Sequence, residues 1–214
     1  MHLETLPSGS RKVFASLKEI ATLYRFVLAG GTGLALQLGH RISADLDLFT
    51  QESFSTEKVF HEMKELKLVP VLQQEEKGTL IVSTAGIKVS FFHYPYPFIE
   101  KKSLLYGIPI AGVIDVASMK VIAIGQRGAK RDFIDLFFIL QNIPFRKIAE
   151  NMITRFGADR ISPVHTGKSL VYFIDADVDP DPKYCCKDIP EWKTIKDFFR
   201  KNVMQMVLDM DLCH

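Results

Sequence analysis

Two aspartates, Asp45 and Asp47, lie in the run ADLDLF at residues 44–49, where polar and apolar residues alternate with period two. On a strand, positions i and i+2 project from one face, roughly 6.6 Å apart at the Cα atoms. Carboxylates so placed can converge on one or two hard divalent cations, and magnesium prefers carboxylate and phosphate oxygens to nitrogen or sulfur. Alone, such a D-x-D is more often the solvent face of an edge strand. Upstream stands Gly30-Gly31-Thr32. The glycines let the backbone approach a ligand closely and Thr32 adds a hydroxyl, although small residues there also suit helix–strand packing. Arg41 and Ser43 lie just before the aspartates, and a guanidinium can hold a phosphate through two parallel hydrogen bonds. The chemistry these types and spacings suggest is metal-assisted work on a nucleotide.

The elements that must position these groups follow from local pattern. FVLA at 26–29 reads as a short buried strand ended by glycines, and 31–38 as a helix with Leu34, Ala35 and Leu38 on one side. Strand, glycine turn and helix start aim free backbone N–H groups at an anion. Residues 10–25 form a helix with Val13, Leu17, Ile20 and Leu23 inward. A further helix spans 55–66, capped by Ser55 or Thr56. Strands at 69–73, 79–83 and 87–92, joined through Gly78 and Ala85-Gly86, form a meander, so the sheet is mixed. Tyr94-Pro95-Tyr96-Pro97 ends it, because proline cannot donate into a ladder. A short strand at 108–111 follows. Helices are then expected at 115–124, 131–140, 144–155, 165–173 and 192–210, with an acidic, proline-punctuated surface loop at 175–188. The fold class is α+β: an α/β core over 1–112 and a helical region over 113–214.

The helical region carries its own candidates. Val116, Lys120, Ala123 and Ile124 share one helix face. An ammonium on that apolar stripe requires a partner, a triphosphate or a carboxylate, unless it snorkels to solvent. In the next helix Phe133, Leu136, Phe137 and Leu140 make the core stripe and leave Arg131, Asp132 and Asp135 off it, with Arg131 and Asp135 spaced as a surface ion pair. His40 and His93 read as packed or surface histidines. Tyr94, Tyr96 and Phe98 could stack a base, but their prolines mark a turn. His165-Thr166-Gly167-Lys168-Ser169 lacks the first glycine and the strand of a phosphate loop.

Composition narrows the class. The chain has 214 residues, 47% hydrophobic and 24% charged, with a formal charge of +2. These values are ordinary for a folded soluble protein, so any attraction for phosphates is local. Local basic groups exist at Arg127, Lys130 and Arg131, at Lys101-Lys102 and at Arg146-Lys147, and they permit an RNA acceptor. Three cysteines, two adjacent at Cys185-Cys186, suit neither a disulfide framework nor a tetrahedral zinc site. The N-terminus lacks the apolar core of a secretory signal, and the most apolar stretch, 26–38, is shorter than the ~20 residues a bilayer span needs. A soluble cytoplasmic protein with no membrane partner is expected.

The block GGTGLALQLGHRISADLDLF at 30–49 resembles the signature of the nucleotidyltransferase fold shared with DNA polymerase β, in the version carried by the AbiEii/AbiGii toxin family. ASMKVIAIGQRGAKRDFIDLFFIL at 117–140 resembles that family's later lysine and RD motifs. The resemblance implies a nucleotidyltransferase-like mixed sheet with flanking helices, and a helical half that completes the site. It implies an enzyme that moves a nucleoside monophosphate from an NTP to an acceptor hydroxyl, on tRNA or another RNA, with release of pyrophosphate. Asp45 and Asp47 would hold Mg2+ or Mn2+. Gly30, Gly31, Thr32, Arg41, Ser43, Lys120 and Arg131 would bind the nucleotide, Asp132 would join Lys120 in catalysis, and a cognate antitoxin would be a partner. Polymerase β-type transferases carry a third carboxylate on a later strand, and the matching strand here, GIKVSFF, offers Ser90. Two readings stand open: Asp132 or Asp135 supplies that acid, or the fold survives as a catalytically weakened nucleotide-binding or interaction protein.

Overall fold

The N-terminal helical pattern folds as two helices, α1 (Ser8–Ser16) and α2 (Lys18–Leu23), broken at Leu17. The break turns Leu23 out to 63% exposure, against the expectation of a single inward stripe, while Val13, Phe14, Leu17 and Ile20 are buried. Then follow β1 (Val27–Leu28), α3 (Gly30–Leu38), β2 (Leu46–Thr50) and α4 (Thr56–Glu65). Ser55 caps α4, its side chain accepting a hydrogen bond from the Lys58 amide at 3.2 Å. The meander is β3 (Val71–Glu76), β4 (Thr79–Thr84) and β5 (Ile87–His93). A hairpin, β6 (Ser103–Leu105) and β7 (Ile108–Ile110), completes the sheet, and its first strand was not expected from pattern. The remaining helices are α5 (Val113–Arg127), α6 (Lys130–Leu140), α7 (Phe145–Phe156), α8 (Pro163–Leu170), α9 (Ile174–Val178) and α10 (Trp192–Asp211). Helix α9 begins one residue before the stretch 175–188 expected to be loop and occupies its start. The computed structural model describes residues 1–213, and among them no helix is long and apolar enough to cross a membrane.

The chain forms two units, residues 1–97 with 101–112, and residues 98–100 with those from 113 onward. In the first, the sheet runs β3-β4-β5-β2-β1-β7-β6. It is mixed: β2 pairs parallel with β5, β1 parallel with β7, and the other neighbours antiparallel. Strand alternation sends Leu46 and Leu48, with Leu80, Val82, Val89 and Phe91, into a core shared with Phe14, Leu17, Ile20, Val59 and Met63. The same alternation puts Asp47 on the opposite face. That is how an apolar strand comes to carry a carboxylate.

In the second unit, α5 and α10 both pack against α7 and α8. Phe133 meets the rings of Phe173, Trp192 and Phe199 at centroid distances of 5.1, 6.0 and 5.5 Å. The tripeptide Phe98–Glu100 is tied to α5 reciprocally. The Asp115 carboxylate accepts from the amides of Ile99 (3.3 Å) and Glu100 (3.0 Å), and the Glu100 carboxylate accepts from the amide of Ile114 at 2.6 Å. Glu100 thus satisfies amides at the helix start while the buried Asp115 is satisfied by amides of the incoming segment.

Candidate active site

The turn from β1 into α3 requires glycine twice over. Gly30 sits at φ +62°, and a Cβ there would stand 3.0 Å from Asp47 Oδ2. The carbonyl of Asp47 accepts from the Ala29 amide at 3.0 Å, which extends the β1–β2 ladder and fixes Asp47 beside this turn. A Cβ on Gly31 would stand 2.5 Å from Arg41 Nη2 and 3.3 Å from Ser43 Oγ. Gly30, Gly31, Arg41, Ser43 and Asp47, separated by up to 17 positions in sequence, are therefore brought together at one helix N-terminus.

Thr32 serves this cluster from beneath. It is 2% exposed, donates its hydroxyl to the Asp45 carbonyl oxygen, and lies 2.8 Å from Ser43 Oγ. Its bonds hold the 43–45 segment, so the hydroxyl acts on the loop and is not directed at an incoming phosphate. Arg41 is likewise buried, with Nη1 donating to the Ile42 carbonyl at 3.2 Å. Asp45 is exposed and falls just before β2, so the strand starts two residues later than the alternation at 44–49 predicts.

In the helical unit, the structure gives Lys120 carboxylate partners. Its Nζ lies 2.7 Å from Asp132 Oδ1 and 2.6 Å from Asp135 Oδ2. Arg127 holds Asp132 through two bonds, Nε to Oδ2 at 2.8 Å and Nη2 to Oδ1 at 3.0 Å. Both aspartates are fully buried and Lys120 is 4% exposed. This corrects the stripe assigned to α6: Asp132 and Asp135 share the buried side with Phe133, Ile134, Leu136 and Ile139, and Asp135 is no surface partner of Arg131. Burial works against ionisation of Asp132, but the Lys120 charge and the Arg127 guanidinium outweigh it and hold the carboxyl below its usual range. Arg131 itself is exposed. Arg127 entered the sequence reading only as one of a basic group, although its place five residues before Asp132 was the available signal.

Lys130, from the same basic group, is committed elsewhere. It is buried against Asp181 at 3.3 Å and over the Trp192 ring at 5.5 Å, and its amide donates to Asp179 at 3.0 Å. The acidic stretch read as a plain surface loop thus reaches back to the start of α6.

The family model for the AbiEii toxin, a nucleotidyl transferase of a type IV toxin–antitoxin system, matches residues 13–205. The chain belongs to the AbiEii family. An uncharacterized protein of Aquifex aeolicus (strain VF5), aq_aa25, is 35% identical over 208 residues, covering 95% of this chain and 98% of that protein. The fold is shared with a candidate nucleotidyltransferase from H. pylori, at a TM-score of 0.60 with 96% of each chain covered. It is shared too with MenT4, a nucleotidyltransferase toxin from Mycobacterium tuberculosis H37Rv, at a TM-score of 0.51 with 94% of this chain and 92% of that one covered. Both are 16% identical to this chain. As an AbiEii protein, the chain is a nucleotidyltransferase with the family's mixed α+β fold.

The sheet register gives the AbiEii site its remaining neighbour. In the parallel β2–β5 ladder Asp47 stands beside Ser90. Among the described residues no three His, Cys, Asp or Glu side chains converge as metal ligands. By donor type, Asp45 and Asp47 could hold a hard divalent cation, since magnesium is commonly held by one or two carboxylates and completes its shell with phosphate and water oxygens. A Cβ at Gly30 would stand against Asp47 Oδ2, so glycine there leaves the carboxylate its place beside the turn.

Proposed function

We propose that this AbiEii protein transfers a nucleoside monophosphate from an NTP to an acceptor hydroxyl of an RNA, tRNA being the first candidate, in a magnesium-dependent reaction. The observation that carries this reading is the convergence of Asp47, Gly30, Gly31, Arg41 and Ser43 at the start of α3. The acceptor oxygen bonds to the α-phosphorus, the bond from that phosphorus to the bridging oxygen breaks, pyrophosphate leaves, and the acceptor's proton is lost to water. Asp45 and Asp47 hold the cation, which when bound would neutralise charge on the α-phosphate and the leaving group. Gly30 and Gly31 admit the phosphates to the helix N-terminus, and Arg41 and Ser43 donate to their oxygens. Thr32 keeps Ser43 and Asp45 in place.

Within the helical unit Lys120 neutralises Asp132 and Asp135, and Arg131, exposed on α6, is a cation open to phosphate oxygens. Asp132, with its carboxyl held below the usual range, is a weak base near neutral pH, so its role in this reading is to fix Lys120 and Arg127. Asp135 grips the same ammonium from the other side. A toxin family of this kind implies a cognate antitoxin, which we propose as the protein's macromolecular partner.

The test is direct. The full chain is incubated with each α-labelled NTP, magnesium and total tRNA. Label should enter RNA with at least one nucleotide, and Asp47→Ala should abolish it. NTP binding that depends on Asp47, without label transfer to any RNA pool, would refute the transfer reaction and leave a nucleotide-binding protein.

A further inference from the structure

Ser90 is 1% exposed, and its Oγ has no hydrogen-bond partner. Such a hydroxyl is destabilising where it stands, because it has lost water and gained nothing in exchange. The strand offers it no backbone acceptor: β5 is paired on both sides, with β4 and with β2, so its ladder groups are committed. Its cross-strand neighbours on the same face are Ile81, which has no polar atom, and Asp47. Adjacent strands lie about 4.8 Å apart, within which a serine hydroxyl and a neighbouring carboxylate can meet by rotamer change alone. Asp47 Oδ2 lies on the other flank, toward Gly30.

We propose that Ser90 is a positioning residue for the metal-binding carboxylate pair. When Asp47 turns to take a divalent cation, the Ser90 hydroxyl donates to it and fixes the oxygen that faces the ion. The inference rests on the reading of Asp45 and Asp47 as cation ligands. A neutral donor suits this place, since it steadies a carboxylate without adding a third negative charge to a pair that must coexist before the cation arrives.

The experiment measures Mn2+ binding to the full chain by electron paramagnetic resonance, without nucleotide, alongside thermal melts of the metal-free protein. Ser90→Ala is expected to weaken Mn2+ binding roughly tenfold, and Ser90→Thr, which keeps the hydroxyl, to stay within about threefold of the parent. The metal-free melt of Ser90→Ala should be unchanged or higher, because an unsatisfied hydroxyl has been removed. Unchanged Mn2+ affinity in Ser90→Ala, with binding lost in Asp47→Ala, overturns the role of Ser90 alone. A metal-free melt lowered by several degrees in Ser90→Ala marks a structural hydroxyl and also overturns it. Mn2+ binding that survives Asp47→Ala overturns the underlying reading of the carboxylate pair.

Discussion

Replacing Lys120 by alanine separates the architecture of the helical unit from its chemistry. The ammonium stands 2.7 and 2.6 Å from two carboxylates that are both fully buried. Without it, Asp132 keeps Arg127, a side chain 52% exposed, and Asp135 loses the cation at its Oδ2. Removing one side of a buried ion pair costs about 3–5 kcal/mol, because the remaining charge stays desolvated. With Asp135 losing its contact to the ammonium and Asp132 losing one of its two cations, the upper half of that range is expected. At ~2–4 °C per kcal/mol for a chain of this size, the melt should fall by roughly 8–20 °C at pH 7.

The pH dependence of that loss carries the sign. The Asp132 carboxyl is held below its ordinary 3.8 in the folded parent. Its stabilising contribution is therefore present above the unfolded value and lost as pH falls through the depressed one. In Lys120→Ala the buried acids gain by binding a proton, so the gap between parent and variant should be widest near neutrality and close below about pH 4. Thermal and urea melts across that range are the assay, with transfer activity measured well below both midpoints. A melt within about 2 °C of the parent at pH 7, or a gap constant from pH 4 to 7, would refute the idea that Lys120 neutralises buried carboxylates.

Two further perturbations probe one local contact in each unit. Gly30→Ala should destabilise by about 1–2 kcal/mol through its left-handed backbone and lower Mn2+ affinity by pressing on Asp47, and a variant with parental melt and affinity would contradict the cradle. Asp179→Ala removes the acceptor for the Lys130 amide at the start of α6, and should cost about 1 kcal/mol and speed hydrogen exchange at that amide, with exchange unchanged if the contact is incidental.

How much of the site could be read in advance depends on the range of the interaction involved. Asp47 was legible because strand alternation is a property of consecutive residues and separates it from the buried Leu46 and Leu48, whereas Asp45 falls before the strand and outside that rule. The glycine turn at residues 30 and 31 was legible as local chain punctuation, but the positive φ of Gly30 and its closeness to Asp47 Oδ2 came only with the fold. The serine cap of α4 and the helical periodicities are equally local. The break at Leu17 and the short strand β6 were not, because nothing in their neighbours distinguishes them until the sheet is assembled.

The charges of the helical region show where local reasoning ends. A stripe counted from apolar residues alone treats Asp132 and Asp135 as solvent groups, whereas the fold buries both. They can be buried because Lys120, on a different helix, arrives to neutralise them. Thr32 is similar: its hydroxyl looked available in the sequence, and packing turned it inward to hold Asp45's backbone. By itself, then, the sequence determined that Asp47 stands on the face opposite Leu46 and Leu48, where the glycine turn falls, and which family's motifs the chain carries. Tertiary structure decided which of the charged side chains neutralise one another and which stand beside the carboxylate pair. The parallel register that sets Ser90 against Asp47 joins residues 43 positions apart, and no local preference of either strand specifies that alignment.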